Sequence, residues 1–111
     1  MTKFYNDLGM TFSALADPTR RAILSKLCEG PASVSEVSEP FDIALPTLLK
    51  HVRILEKCGL LSSEKVGRVR MCKLETSALR ASDEWLRQHI LAWEARLDRM
   101  EDHVKRMNEE K

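Results

Sequence analysis

The chain has no glycine-rich phosphate loop, no Gly-x-Ser-x-Gly and no Cys/His pair at catalytic spacing, so it offers little support for an enzyme. Long apolar runs are missing as well. The longest are a few residues, against the roughly 20 that a membrane-spanning helix requires. Cysteine is sparse: Cys28, Cys58 and Cys72 are odd in number, far apart, and form no Cys-x-x-Cys. With no secretory-type apolar segment near the start, this usage predicts reduced thiols and a cytoplasmic protein.

What is present is a small chain with uneven charge. Its 111 residues suit one domain over residues 1–111 and are too few for two comfortable cores. The net charge of +1 hides an asymmetry: 11 Lys+Arg face 8 Asp+Glu up to Leu74, and 7 face 9 beyond it. An excess of that size says little by itself, so placement decides. No Asp or Glu occurs between Ile43 and Leu55, or between Lys65 and Leu74. Two acid-free windows in a chain of nearly balanced charge point to a surface that meets a polyanion.

The periodicities give those windows a shape. Phe4, Leu8, Phe12 and Leu15 repeat at helical spacing and predict a first helix that ends before Asp17-Pro18. Asp17 is a suitable N-cap and Pro18 a suitable first residue for a second helix to about Cys28, with Ile23, Leu24 and Leu27 inward. Gly30-Pro31 stops it. Ser33 then caps a short helix carrying Val34 and Val37, and Pro40 with Asp42 marks a turn. A fourth helix starts near Ala44 with Pro46 in its first turn, buries Leu48, Val52 and Leu55, and ends at Gly59 in the C′ position. Thr47, Lys50, His51 and Arg53 are expected on its outer side. Leu60 to Val66 and Val69 to Leu74 read as two strands joined across Gly67-Arg68, with Lys65, Arg68 and Arg70 around the tip. Two helices, a turn, a basic helix and a hairpin make a winged helix-turn-helix, mainly α with a small β-hairpin wing. Its core is expected over about 12–75.

From about Thr76 the chain has neither Gly nor Pro. Leu86, Ile90, Trp93, Leu97, Met100, Val104 and Met107 are spaced by alternating steps of four and three, the a/d seam of a coiled coil. A domain this small can cover only the start of such a stripe. The expectation is a homodimer built by a terminal helix over about 76–107, with help from the first helix.

Several segments together resemble the ArsR (ArsR/SmtB-like) family of bacterial transcriptional regulators. They are Phe12-Ser-Ala-Leu-Ala-Asp-Pro-Thr-Arg-Arg-Ala-Ile-Leu24, Val34-Ser-Glu-Val, Leu45-Pro-x-x-x-Lys-His-Val-x-x-Leu55, Gly59-Leu60 and Gly67-Arg68-Val-Arg. The resemblance covers nearly the whole chain and implies a dimeric repressor of double-stranded operator DNA with twofold pseudo-symmetry, often that of its own operon. Trp85-Leu86 and Trp93-Glu-Ala-Arg-Leu-Asp98 resemble the tail of one branch of that family. Many members have Ser or Thr where this chain has Ala44 and Leu49, so an operator sequence does not carry over.

Each charged cluster has a plainer alternative, a solvated helix face or a polar turn. In a helix-turn-helix the N-terminal part of the second helix lies nearest the bases, which favours DNA contact for Thr47 and Lys50 and leaves His51 evenly balanced. At a wing tip arginine suits phosphate or minor groove, so Arg68 is assigned to DNA ahead of Lys65 and Arg70. Arg20 and Arg21 stay open, with a pairing to Asp17 or to an acid of the tail as one option.

Metal sensing finds no ligand set. The short third helix lacks Cys and His, and the family's Asp-x-His, ten residues, His-x-x-Glu pattern meets Arg87 and Met100 where Asp and the second His belong, leaving His89 and His103 unassociated. No metal, cofactor or membrane partner is expected, and no effector is identified. The three cysteines read first as small hydrophobes, although Lys57 beside Cys58 would favour a thiolate. Trp85 and Trp93 read as core and seam before ligand-pocket walls. Two competing functions stay open: a repressor of this fold gated by thiols or a small molecule, and a winged-helix protein-interaction module.

Overall fold

A computed structural model describes residues 2–109, with side-chain surroundings for residues 7–109; Phe4 of the expected first-helix face lies outside the latter. The order is α1 (Thr2–Leu15), α2 (Pro18–Leu27), β1 (Ala32–Ser33), α3 (Val34–Ser38), α4 (Leu45–Lys57), β2 (Leu61–Val66), β3 (Val69–Leu74) and α5 (Ser77–Glu109).

Local chemistry sets the boundaries. The Asp17 carboxylate accepts the Arg20 backbone N–H at 2.9 Å and Pro18 opens α2, satisfying donors that the first turn leaves orphaned. Ser33 and Glu36 form a reciprocal capping box on α3. At the end of α4, Gly59 takes φ +75° and a Schellman pair closes the helix: Leu60 N–H donates to the Leu55 carbonyl at 2.9 Å and Gly59 N–H to that of Glu56 at 3.0 Å. The chain then enters β2 with Leu60 and Leu61 already buried.

The end of α1 is closed from outside. Arg20 donates through Nε to the Ala14 carbonyl (2.8 Å) and through Nη2 to that of Ser13 (3.2 Å), and Arg21 Nη1 donates to the Leu15 carbonyl (2.7 Å). Two guanidinium groups thus satisfy the orphaned carbonyls and the negative end of the α1 dipole. This gives Arg20 and Arg21, whose role the sequence left open between Asp17, an acid of the tail and phosphate, a structural task at the end of α1.

The sheet has three antiparallel strands in the order β1-β3-β2, one more than the hairpin read from sequence. Ala32 pairs with Cys72, and the β2–β3 ladder runs from Leu61↔Leu74 to Val66↔Val69. Gly67, at φ +65°, is the first central residue of the two-residue turn, the position where a type II′ turn needs glycine. The core gathers Ile23, Leu24 and Leu27 of α2, Val37 of α3, Leu48, Val52 and Leu55 of α4, and Leu60, Leu61 and Cys72 around the sheet. Cys72 is the buried hydrophobe expected of it, whereas Cys28 is exposed.

Helix α5 belongs to this body only at its start. Ala78 and Leu79 pack against the core, Ser82 is buried, and Trp85 meets Phe12 of α1 edge to face at 5.9 Å. From Leu86 to Glu109 every side chain is exposed. Thirty-three residues span about 50 Å at 1.5 Å each, which stretches the molecule to 76 × 32 × 22 Å.

Two stability outcomes follow. Leu55→Ala removes a fully buried side chain at the crossing of α4 and the sheet and should cost about 2–5 kcal/mol in chemical denaturation; a loss below half a kcal/mol would contradict this core. The Asp17 carboxyl is held below its ordinary value of 3.8, chiefly by the Arg20 N–H and then by neighbouring His51 and Arg20, against an opposing desolvation. A lowered folded value means its stabilisation is complete above the ordinary value of 3.8 and is lost as pH falls from there through the lower folded value. Asp17→Asn should therefore flatten the acid limb of the melting temperature against pH; superimposable acid limbs would refute the cap's role.

Candidate nucleic-acid interface

Helix α4 has one buried stripe, so the remainder of its surface is fixed by helical geometry. Leu48, Val52 and Leu55 are 0–3% exposed, and at about 100° per residue Lys50 and Arg53 fall well away from them. Both are exposed, as is Thr47 in the first turn. The N-cap, Ala44, makes no side-chain hydrogen bond, and Leu45 beside it is 52% exposed. The end of α4 that a major groove would meet is therefore open, uncapped and partly apolar.

His51 stands apart. It lies on the flank of the buried stripe, with its side chain 19% exposed. Its Nδ1 accepts from Arg20 Nη1 at 3.4 Å and stands 3.8 Å from Asp17 Oδ2. The α2 corner thus holds one edge of its ring, while Thr47, Lys50 and Arg53 carry no such restraint.

The wing supplies the second group of cations. Lys65 and Arg70 are directly opposed across the β2–β3 ladder, and Arg68 occupies the turn beyond them; all three are exposed. Like charges facing across a strand pair are unfavourable by themselves, and an anion lying against the wing would relieve them. Arg70 is oriented by a chain of bonds: its Nη1 donates to Ser63 Oγ at 2.9 Å, and Ser63 donates through Oγ to Glu56 at the end of α4 at 2.7 Å. The wing is thereby tied to the C-terminal turn of the basic helix, and Glu56 is engaged there. Sequence reasoning missed this link because Ser63 and Glu56 carry no motif.

The remaining chemical groups are dispersed. Among the described residues no three His, Cys, Asp or Glu side chains come together as metal ligands. His89 Nδ1 bonds to the Trp85 carbonyl of its own helix at 2.8 Å, and its ring stacks on that indole at 4.1 Å. The Cys58 thiol donates to the Met10 carbonyl at 3.5 Å, and burial pushes its pKa up against the opposing pull of Arg20 and Lys57. The thiolate that Lys57 suggested from sequence is thus disfavoured. Burial also raises the Cys72 thiol. No described helix is long and apolar enough to cross a membrane.

Residues 17–63, from the cap of α2 through α4 into β2, match the model of the bacterial regulatory protein arsR family. The transcriptional repressor SdpR of Bacillus subtilis is 33% identical over 83 residues, which is 75% of this chain and 92% of that protein. Among solved structures, the crystal structure of an ArsR family transcriptional regulator superimposes with a TM-score of 0.76 at 45% identity, covering 85% of this chain and 94% of the other. The homodimeric winged helix-turn-helix DNA-binding domain Mb0332 of Mycobacterium bovis shares the fold at 18% identity, with a TM-score of 0.64 over 85% of each chain. The fold of this chain is that of these proteins, and the chain belongs to the arsR family of bacterial regulatory proteins, transcriptional regulators of winged helix-turn-helix fold rather than enzymes.

Proposed function

We propose that this protein is a cytoplasmic homodimeric repressor that occupies a twofold-symmetric operator, its own promoter being the first candidate. The observation that carries the reading is the exposed, acid-free face of α4 beside a wing whose Lys65 and Arg70 oppose one another. Thr47 and Lys50, in the half of α4 nearest its open N-terminus, read base edges in the major groove. Arg53, Arg68 and Lys65 hold phosphates or the adjacent minor groove, and Arg70 joins them with its orientation set by Ser63. His51 contributes from the edge of its ring that faces away from Arg20. Repression follows from occlusion, because DNA covered by the dimer is closed to polymerase.

The division of labour follows the two parts of the chain. Residues of about 12–75 make the DNA-binding core, and the helix over about 76–107 makes the dimer. Leu86, Ile90, Trp93, Leu97, Met100 and Val104 are 39–62% exposed in the single chain, and so is Met107 at 52%. A stripe of that length running along one helix is a larger apolar surface than a monomer ordinarily leaves in water. A homodimeric relative of the same fold supports the second copy as its cover.

Three outcomes test this reading, two with the protein's own upstream DNA and one by sedimentation. Lys50→Ala should weaken specific binding and relax preference at one base pair, whereas Arg68→Ala should weaken all sequences alike and reduce the salt slope by about one counterion. Affinity indifferent to salt, or to both changes, would overturn the assigned face. Trp93→Glu should place an unpaired charge in the seam and shift sedimentation from dimer to monomer; a wild-type chain that sediments as a monomer at micromolar concentration would refute the dimer.

A further inference from the structure

Arg20 reaches further than the end of α1. Its guanidinium donates through Nε and Nη2 to the Ala14 and Ser13 carbonyls, which fixes its plane, and its remaining nitrogen, Nη1, lies 3.4 Å from His51 Nδ1. Arginine is always charged and can only donate, so in this contact Nδ1 must be the acceptor. The Asp17 carboxylate, at 3.8 Å, is outside hydrogen-bond range of Nδ1, so the contact with Arg20 is the one hydrogen bond made to that nitrogen among the described residues. A neutral imidazole that accepts at Nδ1 carries its proton on Nε2. Nε2 has no partner among the described residues, and no described polar side-chain atom is both buried and unpartnered, so this nitrogen reaches water. The groups facing the ring from the packed elements are Asp17 and Arg20; Lys50 and Arg53 belong to its own helix.

We propose that Arg20 is a positioning residue for DNA binding: it holds His51 in the Nε2-protonated form and so presents a fixed hydrogen-bond donor, beside Thr47 and Lys50, to an acceptor atom of the bound DNA. The inference rests on the reading of α4 as the DNA-contacting helix. It assigns Arg20 a second task beyond closing α1, and it gives His51 a defined polarity. A donor suits a phosphate oxygen or the acceptor edge of a purine or thymine, and it rejects an exposed amino group.

Two measurements test it. In two-bond proton–nitrogen NMR spectra of the free protein above the titration range of its histidines, His51 should show the Nε2-protonated tautomer. His89 serves as internal contrast, because its Nδ1 faces a carbonyl oxygen and must carry the proton there. In Arg20→Lys, which keeps the charge but not the planar fork, the His51 signals should move toward a mixture of tautomers. The second measurement separates the two ends of the ring by amide replacement. The side-chain amide of His51→Gln reaches the place of Nε2 and keeps the outward donor; that of His51→Asn reaches only the place of Nδ1 and keeps the contact with Arg20. With upstream DNA, His51→Asn should lose about tenfold in affinity, the value of one hydrogen bond to a charged acceptor, while His51→Gln stays near wild type and both melt alike. A loss shared by scrambled DNA assigns the acceptor to phosphate, and a loss confined to the operator assigns it to a base. An Nδ1-protonated His51, or equal affinity for the two variants, would overturn the proposal while wild-type binding still stood. A wild-type protein that binds no DNA would instead overturn the reading on which it rests.

Discussion

The structure depends on the burial of one stripe of α4 against α2, α3 and the sheet. Leu48, Val52 and Leu55 are all but inaccessible, and full burial of such side chains is worth about 1.5–3 kcal/mol each. Rotating α4 by one residue would bring His51 or Arg53 into that core and expose leucine, so the packing that stabilises the domain also orients its basic face. Both ends of the helix are set with the same economy: Pro46 starts it, and the Schellman turn at Gly59 delivers Leu60 and Leu61 directly into the sheet.

A second constraint acts through hydrogen bonds. Asp17 caps α2, Arg20 and Arg21 close α1, and Arg20 touches His51, so a single turn between two helices joins the end of α1, the start of α2 and the flank of α4. On the far side, Glu56 and Ser63 tie the wing to the last turn of α4. The basic helix is thus held by polar links at its middle, through His51, and near its C-terminal end, through Glu56, while its N-terminal turn stays open. Preorganisation of that kind lowers the ordering cost when a ligand binds.

Much of this was readable in the sequence, and the remainder had definite reasons for being hidden. The first four helices followed from periodicity with a cap or breaker, because Asp17-Pro18, Ser33, Pro46 and Gly59 each carry a local signal. Strand β1 did not, because two residues, Ala32 and Ser33, are too short to show alternation and pair only with a strand some 40 positions later in the chain. His51 could have been placed more sharply from the start, since its angular position puts it on the flank of the Leu48–Val52–Leu55 stripe rather than opposite it. The partners of Arg20 and Arg21 are tertiary and carry no spacing rule, and the raised Cys58 thiol reflects burial that the adjacent Lys57 could not reveal. The α5 seam was legible because heptad spacing depends on one helix alone.

In the proposed complex, two copies of this chain, joined through α5, set two α4 helices into successive major grooves of one duplex. Hydroxyl-radical footprinting of the wild-type protein on its own upstream DNA tests that arrangement. The account predicts two protected patches related by a dyad and centred about one helical turn, 10–10.5 base pairs, or a multiple of it apart, both appearing at the same protein concentration. One isolated patch that fills without its mate, or uniform weak protection along the duplex, would contradict it.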